Sequence, residues 1–196
     1  VPDGYEASYE QGEAGAVITN TKVTSFTVEK KWADDGLIGR PNSIDVTLQG
    51  YVGDVAVGTS QAYTLTKTNW KHTWQKLPTH TTGGDAITYQ VRESNVAGYA
   101  PTYTDTPTGT IITNVKLTSF KVEKKWVDGD GTGRPTEIEV TLNNDFNLTI
   151  PNATQMLTAQ DGWKYTWQNL PKFTLDGKRI KYTVTESPVA NYAPTY

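Results

Sequence analysis

The sequence predicts an all-β fold of tandem antiparallel β-sandwiches, and three observations support this fold class. Short segments alternate between apolar and polar residues, and turns rich in Gly, Pro and Asp separate them. Six Trp and eleven Tyr accompany abundant Thr, a composition that suits pleated, half-buried sheets rather than helices. A similar sequence pattern recurs after 94 residues, which indicates more than one sandwich in a chain of 196 residues.

The repeat is clearest in one strand-like stretch. Residues 26–32 read Phe-Thr-Val-Glu-Lys-Lys-Trp, and residues 120–126 read Phe-Lys-Val-Glu-Lys-Lys-Trp. Alternation along a strand places Lys30 on the same face as apolar residues, and the second copy does the same with Lys124. Burying an unpaired ammonium is expensive. Both lysines therefore either reach solvent at a strand end or lie buried for a chemical purpose.

The first 20 residues read as the end of a repeat. A Gly-Tyr pair, a turn containing Gly and a strand ending in Ile-Thr-Asn lead up to Asn20, and the same features lead up to Asn114 one repeat later. We therefore expect residues 1–20 to be the last two strands of a preceding unit.

The first complete unit is predicted to span residues 21–114. Its predicted strands cover residues 23–32, residues 44–48, a Gly-broken hairpin within 49–68, residues 70–74, residues 87–93 and the strand that ends at 114. No helix of useful length is expected, and residues 54–61 are only a weak candidate. Glu93 shares a strand face with three apolar residues, so its carboxylate is predicted to point inward.

The second unit is predicted to span residues 115–196 and to lack its last strand. Glu186 follows three apolar positions, as Glu93 does in the first unit, and the sequence reaches only the equivalent of Tyr103. The asparagine that would match Asn114 is therefore absent from this unit. The segment at 114–119 contains neither Gly nor Pro, which predicts two domains joined as a stiff rod.

Three inward polar residues suggest a reaction between side chains. If the first and last strands of a unit are neighbours, Lys30 faces Asn114 with Glu93 close by. Burial favours the neutral forms of an amine and a carboxyl group. A neutral amine can attack the amide carbon, and a protonated glutamate can polarise the amide oxygen and move protons as ammonia leaves. The product is an amide crosslink between two side chains.

The motifs resemble the collagen-adhesin B-type (Cna-B) domain of Gram-positive surface adhesins and pilins. The resemblance rests on Val-Glu-Lys-x-Trp, Arg-Pro after an Asp/Gly loop, Trp-x-x-x-Trp-x-x-Leu-Pro, Tyr-x-Val-x-Glu, Gly-Tyr and Ile-Thr-Asn, in this order. It implies a transthyretin-like or inverse-immunoglobulin β-sandwich with a self-forming Lys–Asn isopeptide bond promoted by Glu.

The resemblance also implies a role for each candidate residue. Lys30 becomes the amine, Asn114 the amide and Glu93 the promoting acid. Lys124 and Glu186 match in the second unit without an asparagine, and Asn20 is an acceptor that belongs to a preceding unit. The implied location is the cell-wall-anchored, extracellular surface of a Gram-positive bacterium, with neighbouring repeats as partners and the anchor outside this sequence.

Several other interpretations remain open on sequence grounds. The lysines can snorkel from strand ends with the glutamates as ordinary partners, and the Trp rings can form a carbohydrate platform instead of a core. The units can be a module that binds a host protein or glycan. Alternatively, the strand of Asn20 can complete the second unit of another copy and react with Lys124, although an excerpt from a longer fibre would have the same ends.

Composition excludes several classes of function. Without Cys there is no disulfide, thiolate metal site or Cys nucleophile, and a net charge of −3 gives no electrostatic footprint for nucleic acid. No stretch is apolar enough for a membrane helix. His72 and His80 show no second ligand, and residues 128–131 read as a turn rather than a calcium loop. We therefore expect no metal, no cofactor and no turnover of an external substrate.

Overall fold

Twelve β-strands form the described part of the chain, which comprises residues 1–36, 39–129 and 131–196 of this computed structural model. The strands are β1 (Tyr5–Gly12), β2 (Gly15–Ala33), β3 (Ser43–Val52), β4 (Val55–Thr66), β5 (Lys71–Pro78), β6 (Thr88–Glu93), β7 (Tyr99–Thr106), β8 (Gly109–Glu123), β9 (Glu137–Asn144), β10 (Thr154–Thr158), β11 (Lys164–Pro171) and β12 (Tyr182–Glu186). No helix occurs within these described ranges, which confirms the all-β prediction. Two compact units result, Val1–Asn114 and Val115–Tyr196.

The first unit is a sandwich of two sheets. One sheet has the order β5-β2-β8-β7, and the other has the order β4-β3-β6. Neighbouring β2 and β8 run in the same direction, because Thr27 N–H donates to Thr108 C=O and, further along both strands, the Lys30 amine donates to Ile112 C=O. The buried core between the sheets consists of Val28, Ile44, Val46, Leu48, Leu65, Trp74, Leu77, Val91 and Ile112.

The segment between residues 49 and 68 forms the predicted hairpin. β3 and β4 pair from Ser43↔Thr66 to Val52↔Val55, with one register shift after Leu48. Gly53 supports the turn with φ +58°, a conformation that costs a side-chain-bearing residue more than Gly. The weak helix candidate at 54–61 is therefore wrong, since these residues turn and then follow β4.

Strand β2 is longer than the sequence predicts. The sequence suggests one strand that ends at Asn20 and a second that begins at Val23, whereas the structure has a single strand of 19 residues. Its partner changes instead, because Lys22 pairs with Tyr5 of β1 and Val23 pairs with Pro78 of β5. No Gly or Pro interrupts the junction, so the backbone stays extended while its neighbours change.

The N-terminal hairpin of β1 and the first half of β2 is exposed on both faces. It pairs without interruption to Gly12↔Gly15. Tyr9, Val17 and Ile18 are each more than half exposed, at 64%, 61% and 61%. An isolated two-stranded hairpin is marginally stable in water, so these apolar side chains have little to pack against.

The second unit repeats the two-sheet arrangement with fewer strands. The second half of β8 pairs with β11, and β10-β9-β12 form the other sheet. Its buried core consists of Ile138, Val140, Leu142, Leu157, Trp167 and Leu170. β8 ends at Glu123, where its ladder with β11 ends, so the predicted strand residues 124–126 lie beyond it. The turn predicted at residues 128–131 includes Asp130, which lies outside the described residues.

Candidate functional site

Three polar side chains lie together in the interior of the first unit. Lys30 is on β2, Glu93 is the last residue of β6, and Asn114 is on β8. The side chains of Lys30 and Glu93 are 0% and 1% exposed, and Asn114 is fully buried. Alternation explains the placement: Lys30 lies two residues after buried Val28, and Asn114 lies two residues after buried Ile112. The snorkelling interpretation is therefore wrong for Lys30.

The carboxyl group of Glu93 bridges the amine and the amide. Glu93 Oε2 lies 3.2 Å from Lys30 Nζ, and Glu93 Oε1 accepts a hydrogen bond of 2.6 Å from Asn114 Nδ2. Lys30 Nζ also donates to the carbonyls of Lys31 and Ile112, at 3.1 and 3.3 Å. Each carboxyl oxygen thus faces one of the two nitrogen atoms that would exchange in a crosslinking reaction.

One detail differs from the sequence-based expectation. We expected the glutamate to polarise the amide oxygen of Asn114, but the structure places it on the amide nitrogen. The amide oxygen Asn114 Oδ1 is buried without a hydrogen bond from any described residue. Leaving a buried carbonyl oxygen without a hydrogen bond is unfavourable.

Burial lowers the pKa of Lys30 to about 8 from its ordinary value of 10.5. Glu93 opposes this shift through its charge and hydrogen bonding, and the nearby charges of Arg40 and Asp34 act in opposite directions. Because desolvation exceeds the attraction of Glu93, the neutral and nucleophilic amine becomes accessible near physiological pH.

Aromatic rings form the wall beside the amine. Lys30 Nζ lies 4.5 Å from the ring centroid of Trp32. Trp70 and Tyr99 pack edge-on to Trp32, with centroids 5.4 and 5.1 Å away. None of the six Trp residues, all of them in the described part, is exposed, which favours a core over a carbohydrate platform.

The second unit holds a similar but more open pair. Lys124 Nζ lies 2.8 and 2.9 Å from the two carboxyl oxygens of Glu186, and it lies 4.6 Å from the centroid of Trp126. These side chains are 15% and 8% exposed. They line a groove of about 1100 Å³. Asn20, by contrast, is exposed on the N-terminal hairpin, opposite Ala7.

The sequence patterns missed a second cluster around Trp32. Asp34, Arg40 and Tyr99 are joined by hydrogen bonds, and the guanidinium of Arg40 lies over the Trp32 ring. One signal was available, because Asp, Arg and Tyr recur at the matching positions of the second unit. The Arg-Pro motif was noted only as part of the family resemblance, without a structural role.

The described residues show neither a side-chain cluster arranged for a metal ion nor a helix able to cross a membrane. They contain no group of three His, Asp or Glu side chains arranged to hold a metal ion. His72 instead stacks on Tyr63 with a centroid distance of 3.5 Å. Among the same described residues, no helix has the length and apolarity needed to cross a membrane.

The chain is a tandem-repeat β-sandwich protein. Each of its two units contains a lysine–glutamate pair beside aromatic rings. The family model of the Cna protein B-type domain matches residues 26–115 and 120–196. The chain belongs to this family, which confirms the resemblance drawn from the motifs.

Similar proteins include adhesins and pilins. The "Collagen adhesin" of Staphylococcus aureus is 31% identical over 202 residues, which cover 98% of this chain and 17% of that protein. Thus the chain spans about a sixth of this curated relative. Solved structures of one and of two B repeat units of the S. aureus collagen-binding protein are 31% and 32% identical. They cover 87% and 98% of this chain and 88% and 52% of those chains, with TM-scores of 0.38 and 0.40.

A pilus adhesin is similar at lower identity. SpaC from Lactobacillus rhamnosus GG is 19% identical, with 90% of this chain and 22% of that chain covered and a TM-score of 0.45. The chain is thus similar to a collagen adhesin and, at lower identity, to a pilus adhesin.

Proposed function

We propose that the chain provides stalk repeats of a bacterial surface adhesin or fibre, stiffened by an intramolecular isopeptide bond between Lys30 and Asn114. Glu93 promotes this bond in a single turnover. The observation that carries the proposal is the bridging carboxyl group, with one oxygen 3.2 Å from the Lys30 amine and the other 2.6 Å from the Asn114 amide nitrogen.

The bridging geometry supports a complete proton path. The neutral amine of Lys30 attacks the amide carbon of Asn114, so a bond forms between Nζ and Cγ. The proton released from Nζ passes to Glu93 Oε2, and Glu93 delivers a proton from Oε1 to Asn114 Nδ2. The bond between Cγ and Nδ2 then breaks and ammonia leaves, so atoms and protons balance without any co-reactant.

The bond would stabilise the unit in two ways. It closes a loop of about 85 residues, which the chain-entropy description of crosslinks converts to roughly 4–5 kcal/mol. It also ties β2 to β8, so a pulling force would pass through the crosslink and bypass the strands between them. A stalk under load benefits from this arrangement, and it requires no Cys.

The intact mass under denaturing conditions tests this proposal. We expect the chain to weigh one ammonia less than its sequence requires. Glu93→Gln should restore the full mass, because it preserves shape and hydrogen bonding but cannot shuttle a proton. The matched change in the second unit, Glu186→Gln, should leave the lighter mass unchanged. An unmodified mass for the parent chain, with a folded circular dichroism spectrum, would refute the isopeptide proposal.

The domain boundaries, location and partners belong to the same proposal. Residues 1–20 are proposed as the last strands of a preceding repeat, 21–114 as a complete repeat, and 115–196 as a further repeat. The relatives are Gram-positive surface adhesins and pilins, so an extracellular, cell-wall-anchored location is proposed. Neighbouring repeats are the proposed partners. If the units bind a host ligand, single units should still bind it after truncation. If they form only a stalk, neither the chain nor its single units should bind a host molecule.

A second candidate function is head-to-tail assembly through the N-terminal hairpin. Gly15 has φ +151° and its equivalent Gly109 has φ +153°, so the two hairpins share the backbone conformation at this turn glycine. Ile18 is 61% exposed, while its equivalent Ile112 is fully buried. We propose that the groove beside Lys124 accepts the β1–β2 hairpin of a second copy.

Entry of the hairpin would bring Asn20 of one copy towards Lys124 of the next. The proposed product is an intermolecular isopeptide bond promoted by Glu186. We expect concentration-dependent ladders on denaturing gels that disappear with Lys124→Ala and persist with Lys30→Ala. A chain that remains monomeric by sedimentation at high concentration would refute this candidate and leave the intramolecular proposal intact.

A further inference from the structure

Residues beyond the reacting groups form a clamp on the loop that follows β2. Asp34 Oδ1 accepts from Arg40 Nη2 at 2.5 Å, and Asp34 Oδ2 accepts from Arg40 Nε at 2.9 Å. The Tyr99 hydroxyl donates to Oδ2 at 2.9 Å, and Gly36 N–H donates to Oδ1 at 2.7 Å. The Asp34 side chain is only 2% exposed and that of Arg40 is 36% exposed, so the carboxylate end of the clamp is buried while the guanidinium end reaches the surface.

The clamp reaches the reacting amine through one aromatic ring. The guanidinium carbon of Arg40 lies 5.6 Å from the Trp32 centroid, and Lys30 Nζ lies 4.5 Å from the same centroid. Tyr99 contacts the ring and also donates to Asp34. Trp32 is therefore held by the clamp while it forms the wall beside the amine. Cations over an indole face are attracted by its quadrupole, so both contacts are favourable.

We propose that Arg40, held by Asp34 and Tyr99, is a positioning residue for the crosslinking reaction and acts on Lys30 through the ring of Trp32. This inference rests on the proposed isopeptide function, and it deepens that function by adding a residue remote from the reacting atoms. A fixed ring limits where the amine can lie, and reactions between held groups are sensitive to displacements of about 1 Å.

The same clamp recurs around the second lysine. Asp128 pairs with the guanidinium of Arg134, Tyr192 donates to Asp128 at 2.8 Å, and Arg134 lies 5.7 Å from the Trp126 centroid. Lys124 lies 4.6 Å from that centroid. Two units that differ in their surface loops thus share this clamp beside the lysine. If the clamp served only to fix a loop, its contact with the ring beside the lysine would not be expected in both units.

Electrostatics adds a second link between the clamp and the amine. The charge of Arg40 lowers the pKa of Lys30, while the charges of Glu93 and Asp34 raise it. Arg40, Glu93 and Asp34 are the charged groups that act on the Lys30 amine. Removing the guanidinium should therefore raise the pKa of Lys30 and also release the ring.

The test measures the single-turnover rate of ammonia loss. The denatured, unreacted chain is diluted into native buffer, quenched in acid at set times and weighed by intact mass spectrometry. We expect Arg40→Met to slow the reaction by roughly tenfold or more, and Arg40→Lys to remain slow because it lacks the planar fork. Arg134→Met removes the equivalent clamp from the second unit and should leave the rate in the first unit unchanged.

A second readout separates positioning from general destabilisation. In an Asn114→Ala background, which cannot react, Arg40→Met should raise the pKa of Lys30 measured by NMR of the lysine side chain. Wild-type rates for Arg40→Met, or an unchanged pKa of Lys30, would overturn this inference. If the parent chain itself loses no ammonia, the proposed function fails instead, so the two failures are distinguishable.

Discussion

At the scale of single residues, the lowered pKa of Lys30 should make the folded state more stable relative to the unfolded state as the pH rises above about 8. Its pKa is about 8 in the folded chain and near 10.5 when exposed. Between these values the unfolded chain binds more protons than the folded chain, so the free energy of unfolding rises with pH. In an Asn114→Ala variant, we expect a gain on the order of 3 kcal/mol from pH 8 to pH 10.5.

Urea unfolding at several pH values measures this gain. The reference is the Asn114→Ala chain that also carries Lys30→Met and Glu93→Gln, because it lacks the buried pair but keeps every other titratable group. The difference between the two chains isolates Lys30. A difference that stays constant from pH 8 to pH 10.5 would contradict the lowered pKa.

The rate of crosslinking should also depend on pH. It should fall as the pH rises above about 8, whereas deprotonation of an amine nucleophile alone would make the rate increase. A neutral Lys30 with a protonated Glu93 carries the same number of protons as the ammonium–carboxylate pair. Loss of that proton, near the Lys30 pKa of about 8, leaves no acid for the departing ammonia. We expect a rate that falls roughly tenfold per pH unit above about pH 8.

Quenched refolding followed by intact mass measures this profile. A rate that instead rises with pH through 8 would mean that deprotonation of Lys30 alone controls the reaction. Glu93 would then have no role as a proton carrier.

At the scale of secondary-structure elements, Gly109 controls the approach of β8 to β2. A Cβ atom on Gly109 would lie 1.8 Å from the carbonyl oxygen of Thr27, and its φ of +153° disfavours side chains. Gly109→Ala must therefore separate the two strands that carry Lys30 and Asn114. In the Asn114→Ala background, we expect a loss of about 3 kcal/mol or more in the free energy of unfolding.

Gly15 offers a matched control for this substitution. It has nearly the same φ, +151°, but no heavy atom lies within 4 Å of the point that a Cβ atom would occupy there. Gly15→Ala should therefore cost only about 1 kcal/mol of backbone strain. Equal losses for the two variants in urea unfolding would show that the contact with Thr27 is unimportant.

Alternation in the sequence predicted the faces of individual strands well. It placed Lys30 and Glu93 inward, because side-chain direction follows directly from a period of two. The glycines between residues 49 and 68 identified the β3–β4 hairpin. It did not predict that β2 is continuous, since that depends on which strands lie alongside. Nor did it predict the clamp of Asp34, Arg40 and Tyr99, because a polar loop and a distant strand meet only after folding.

At the scale of the whole molecule, the proposed crosslink should change how the chain responds to force. With Lys30 joined to Asn114, the residues between them cannot be extended, although the second unit can. Residues 31–113 span roughly 280 Å when fully stretched. We therefore expect single-molecule extension of the parent chain to release a contour length shorter by this amount than that of Asn114→Ala.

The variant Lys124→Ala serves as the control for extension, because it alters the second unit alone. Its total contour length should match that of the parent chain. Full extension of the first unit in the parent chain would contradict a crosslink between Lys30 and Asn114.

The position of strand β8 has a consequence for the resistance of crosslinked repeats to proteolysis. It contains Asn114 and leads, ten residues later, to Lys124, just as β2 leads from Asn20 to Lys30. In a row of crosslinked repeats, the shortest covalent route would use only these ten-residue stretches and the side-chain bonds. A protease that cuts any loop between residues 30 and 114 would then leave the tether unbroken. The remaining residues of each repeat, about nine-tenths of it, would lie outside this covalent route.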